Sequence, residues 1–196
     1  MLGVSALLTT QSEEASPHLV IRWTTQVALA GESEARRRVS NILGQAGISV
    51  SWRECGSIER RTARASDECN QPLEANEVVV RIVQEGSPSL GPAASLGESL
   101  VASDGRGGCF STIFSDRVIA MAHLASVDVA DVLSRVVAHE VGHLLLGTRA
   151  QTRRGLMRET WSIADFRRNA ALDWVFSEDE ARTMREAIVR RVADGF

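Results

Sequence analysis

The chain has no lysine, no tyrosine and only three cysteines among its 196 residues. It also has no apolar run long enough to cross a bilayer. Each absence removes a class of reading. Without tyrosine, no phenol can serve in its chemistry. The basic residues are all arginine, which we read as a habit of composition and not as a functional signal. The net charge of −3 gives no basic excess that would draw the chain to nucleic acid or to a membrane surface. No close Cys-x-x-Cys pair occurs, so a cysteine zinc site is not expected.

What is present fits one folded domain. A composition of 44% hydrophobic and 24% charged residues is that of a globular protein, and the length supports a sizeable core. We take residues 18–196 as that domain. Residues 1–17 (MLGVSALLTTQSEEASP) hold a short apolar piece without a positive start. They read as the remnant of a secretory signal or as a loose terminus. A secreted or periplasmic location is the expectation. Cys55 and Cys69 flank a polar, arginine-rich segment. They either close a disulfide, worth ~3 kcal/mol for such a loop in the chain-entropy model, or stand as free thiols beside Cys109.

Along the chain, His18 to Ala28 alternates like a strand. Ser33 to Ala46 has helical spacing, with Ser33 as N-cap and Gly47 as stop. Ile48 to Trp52 reads as a short strand, and Glu77 to Val83 as a central one. Ser99 to Ser103 reads as a short edge strand before the turn at Asp104–Gly108. Phe110 to Ala122 reads as one or two strand pieces broken near Asp116. Val127 to Leu146 is a helix with a wide apolar face, ended by Gly147. The chain then reads as irregular until Ser177 and Glu180, which form a capping box ahead of a last helix over Ala181–Val192. This order fits an α+β domain with a mixed sheet packed on two helices.

The chemistry sits in the helix, at His139-Glu140-Val141-Gly142-His143. Residues i and i+4 share a helix face, so both imidazoles can reach one metal ion. Glu140, on the adjoining edge, can take a proton from a metal-bound water. Two neutral histidines and a carboxylate inside an apolar helix need a partner, and Zn2+ would supply it.

These residues resemble a zincin metallopeptidase, and within the zincins the metzincin clan. The run from His139 to Gly147, with Gly155-Leu156-Met157 after it, is similar to the small bacterial matrixin-like zincins. That resemblance implies a mixed, mostly parallel twisted sheet whose edge strand binds an extended peptide, an active-site helix and a C-terminal helix, a third zinc ligand soon after the active-site helix, and a methionine turn, here Met157, beneath the metal. The paired Cys55 and Cys69 resemble that group too. Gln151 stands where the group has a histidine. Gln151 could ligate through its amide oxygen. Alternatively, Glu159, Asp165 or Asp173 could supply the ligand, or the site could have lost it. His18 and His123 lie outside the expected loop. Four arginines, Arg149, Arg153, Arg154 and Arg158, crowd the segment after the helix. They are either a solvated face or an attraction for acidic substrates. The expected function is that of a zinc-dependent metalloendopeptidase acting on peptide or protein substrates. The competing expectation is a non-catalytic zincin-fold binding module.

Overall fold

Alternating apolar residues build the sheet. The computed structural model describes residues 16–56, 67–84, 95–103 and 105–195. Strand β1 (His18–Thr25) buries Leu19, Ile21 and Trp23, and β3 (Glu77–Val83) buries Val78, Val80 and Ile82. With β2 (Ser49–Glu54), β4 (Gly97–Leu100) and β5 (Phe110–Phe114) they form one sheet in the order β2-β1-β3-β5-β4. Every pairing is parallel except β4 with β5, which is antiparallel. β4 is therefore an edge strand, paired along one side only among the described residues.

Six helices complete the described chain: α1 (Glu32–Gln45), the short α2 (Asp67–Asn70), α3 (Ser115–Ala125), α4 (Val129–Leu146), α5 (Ile163–Arg168) and α6 (Glu178–Asp194). α4 packs against α1, α3, α6 and β4. Every residue from Val132 to Leu145 is buried, polar ones included. Asp128 caps its start through a bond from the Ala130 N–H at 2.7 Å, and Gly147 ends it in the left-handed region. Among the described residues no helix is long and apolar enough to cross a membrane.

The mixed, mostly parallel sheet is as the sequence predicts, but several local expectations are corrected. The segment after Phe114 is helix α3 and not strand. Val118, Ala122 and Ala125 fall on its buried face at helical spacing, and the apolar run Val118–Ala122 had concealed that period. The edge strand begins at Gly97, before Ser99. α1 starts at Glu32 after Gly31, so Ser33 lies inside the helix and caps nothing. The stretch between Gly147 and Ser177 is not wholly irregular: Ser162 and Asp165 form a capping box that starts α5, and a 3-10 turn follows at Ala171–Trp174. Cys55 and Cys69 are bonded, and Cys109 is free and half-buried. The proposed signal remnant lies outside the described residues, apart from Ser16 and Pro17.

Candidate functional site

His139, Glu140 and His143 lie on one side of α4 and border a cleft of about 750 Å3 between β4 and the segment after the helix. Their exposures of 7%, 5% and 6% make them buried polar residues that still reach the cleft. Each histidine is fixed by a backbone carbonyl. His139 Nδ1–H donates to Leu156 O at 2.8 Å, and His143 Nδ1–H donates to Thr148 O at 2.8 Å. A carbonyl oxygen only accepts, so both protons sit on Nδ1. Both Nε2 atoms then carry lone pairs, and they face each other 3.0 Å apart. Two facing lone pairs repel. A cation bound by both relieves that repulsion, and the separation suits two nitrogens each about 2.0–2.1 Å from one Zn2+.

Burial holds the imidazoles neutral, the form that binds metal. It pushes His139 down to about 4, opposed by the bond to Leu156 and reinforced by His143. It lowers His143 as well, opposed by the bond to Thr148 and reinforced by Arg149. Burial pushes Glu140 the other way, up to about 7, against the bond from Ser99 and with Glu98 adding to the rise.

Glu140 lies against the edge strand. Ser99 Oγ sits 2.7 Å from Glu140 Oε2 and 2.9 Å from its backbone oxygen. At Gly97 a Cβ would come within 2.9 Å of Glu140 Cγ, so the strand approaches the carboxylate only because position 97 has no side chain. Gly142 serves a parallel purpose on the other side of α4. A Cβ there would lie 2.6 Å from Met157 Sδ and 2.8 Å from Phe176 Cε1. Met157 is 1% exposed, packed under the turn of helix that carries both histidines. Gly155, at φ 74°, turns the chain so that Leu156 can present its carbonyl to His139.

Trp161 forms a wall of the site, its ring 5.1 Å from that of His139. Phe166 and Trp174 stack behind it, and Arg135 lies over Trp174 at 3.9 Å. Sequence reasoning missed Ser99 and Trp161. Ser99 shares a face with Gly97 by strand alternation, but no local pattern ties it to Glu140.

Of the further ligand candidates, Gln151 and Glu159 border the cleft. Asp165 and Asp173 are occupied by arginines: Arg158 at 3.5 and 4.0 Å, and Arg168 at 2.9 and 2.6 Å. Among the described residues no third His, Cys, Asp or Glu joins the two histidines in a metal-holding group. Gln151 is exposed, and its side chain makes no hydrogen bond among the described residues. His18 pairs with Ser49, far from this cleft in the sheet, and His123 lies in the last turn of α3.

No family model matches the chain, and no curated protein does. Among solved structures it is similar to archaemetzincin from Methanopyrus kandleri, with a TM-score of 0.57 over 93% of this chain and 100% of that one, at 12% identity. At that identity the likeness is one of fold: a zincin-like α+β domain with a five-stranded, mostly parallel sheet.

Proposed function

We propose that this chain is a zinc-dependent metalloendopeptidase of the small, exported, matrixin-like type. The observation that carries the reading is the pair of Nε2 lone pairs 3.0 Å apart, with Glu140 beside them under an edge strand. The archaemetzincin-like fold and the Cys55–Cys69 disulfide agree with it.

His139 and His143 would hold Zn2+, with the Gln151 amide oxygen as the third protein donor. Held there, Zn2+ would supply Lewis acidity toward a scissile carbonyl and an attacking water. Glu140 takes the proton from that water and delivers it to the leaving amine. Glu140 borders the cleft beside the two histidines, so its carboxylate is within reach of both the water and the leaving group. Ser99 fixes which way the carboxylate faces. The peptide substrate lies extended along the free edge of β4, held by main-chain hydrogen bonds. Met157 and Gly142 set the floor under the histidines and touch no substrate.

A second reading rests on Gln151. A neutral amide is a weaker donor than imidazole, and catalytic zinc ordinarily has three protein ligands. On this reading the chain is a zincin-fold module that binds protein and does not cut.

Zinc per chain, measured on protein purified without chelators, separates the two. About one zinc in the wild type, lost in Gln151→Ala, supports the peptidase with its amide ligand. Zinc retained in Gln151→Ala moves the ligand elsewhere, with Glu159 the next candidate. Little zinc in the wild type favours the binding module. In zinc-loaded protein, Glu140→Ala should keep the metal and lose turnover; retained turnover would remove Glu140 from the reaction.

A further inference from the structure

The four arginines after α4 are not equivalent. Arg158 faces Asp165 and Asp173 at 3.5 and 4.0 Å and is largely neutralised. Arg153 and Arg154 are exposed and do not border the cleft. Arg149 is exposed, borders the cleft, and forms no hydrogen bond or ion pair among the described residues. It directly follows Thr148, whose carbonyl holds the His143 ring, so it stands at the His143 end of the site. Glu98 and Glu159 border the same cleft, and neither forms an ion pair with it.

The cleft is also polarised along α4. Val136 lies one turn before His139, and with Met121, Leu124, Trp161 and Ile163 it makes an apolar end. The opposite end lies past His143, where Leu100 and Leu144 both crowd Gly108 and where Arg149, two residues past Gly147, borders the cleft. β4 runs in this same sense. Gly97 abuts Glu140, and Leu100 lies by the last turn of the helix. A peptide adding antiparallel to β4, the slightly more stable pairing, therefore enters at the Leu100 end and leaves at the apolar end.

We infer that Arg149 is a specificity residue that selects peptides carrying a carboxylate side chain on the N-terminal side of the scissile bond. The guanidinium offers a planar fork of donors matched to a carboxylate. It has no internal partner to give up, so engagement requires no exchange of ion pairs. This inference rests on the cleft being a peptide groove, as proposed above.

The test measures binding apart from turnover. Full-length Glu140→Gln protein, with zinc added, is titrated with two blocked peptides that differ only in Asp against Asn on the N-terminal side of a central leucine. Binding is followed by calorimetry. The Asp peptide should bind about three- to fivefold more tightly at low salt, and the preference should shrink at about 0.5 M salt. Arg149→Ala in that background should erase the preference, Arg149→Glu should invert it, and Arg153→Ala should leave it intact. Equal binding of the two peptides to the parent, or a preference that survives Arg149→Ala, overturns the assignment. Turnover of a neutral peptide by the wild type without any Asp preference would sink this inference alone. An Arg149-dependent preference in a protein that cleaves nothing would uphold it and sink the peptidase reading.

Discussion

The buried polar residues around Arg22 and Glu77 differ from those around His139 and Glu140 in what they leave unmet. Under the β1–β3 side of the sheet, Arg22 donates to the carbonyls of Cys69, Gln71 and Pro72 and pairs with Glu77. Glu77 also accepts from Arg53 and from the Glu74 N–H. Charge meets charge, and the segment from Cys69 to Pro72 is pinned to the sheet. At the cleft, by contrast, each histidine spends its one N–H on a carbonyl and turns a lone pair toward the other. Glu140 has one hydrogen-bonded side chain, Ser99, for two oxygens. Similar burial gives a structural clamp where the groups answer each other. It gives a candidate site where they leave lone pairs unanswered.

The strongest way to break this comparison is at the clamp. Glu77→Ala leaves Arg22, whose side chain is 5% exposed, buried beside no carboxylate. It should cost ~3–5 kcal/mol in denaturant unfolding. A loss under ~1 kcal/mol would mean that the carbonyls alone hold Arg22.

The site should respond with the opposite sign. In chelator-treated protein, burial raises Glu140 from its ordinary 4.5 to about 7. Between those values the folded chain holds a proton that the unfolded chain has released. Stability therefore falls as pH rises through that window, and the full penalty is present above it. Glu140→Gln removes the penalty, so it should stabilise the metal-free chain by up to ~3 kcal/mol at pH 8 and by little at pH 4.5. A difference independent of pH would show that Glu140 is not the source. A site that gains stability on losing its acid is one held for function.

The smallest effect is expected at the wall behind the site. Ser162→Ala removes the capping box of α5, the helix that carries Phe166 behind Trp161. It should cost ~1 kcal/mol and leave zinc content unchanged. A zinc loss in that variant would tie the aromatic wall to the geometry of His139.

Much of this was legible in the chain because it is local. The spacing of His139 and His143, the stop at Gly147 and the central strand Glu77–Val83 each depend on neighbours within a turn or a pleat. The last helix announced itself through Ser177 and Glu180. The same capping signal stood at Ser162 and Asp165 and went unused, although it marks α5 as plainly. α3 was misread because an apolar run is compatible with either period until its packing partner is known. Met157 could be placed by its distance after the helix, but its reason is the missing side chain at Gly142.

The amino-acid order alone settled which groups could do chemistry. Two imidazoles one helical turn apart share a face in any helix, and a glutamate between them must follow on its edge. It also settled that position 151 carries a neutral amide. Tertiary structure decided how those groups are tuned. The carbonyls of Leu156 and Thr148 choose the tautomers, Ser99 aims Glu140, and burial lowers the proton affinity of both histidines. None of these contacts follows from local spacing. Each joins segments that only the packing of β4 and the 148–161 segment around α4 brings together. Hydrogen bonds and desolvation act through space, over a few ångströms, whatever the separation along the chain.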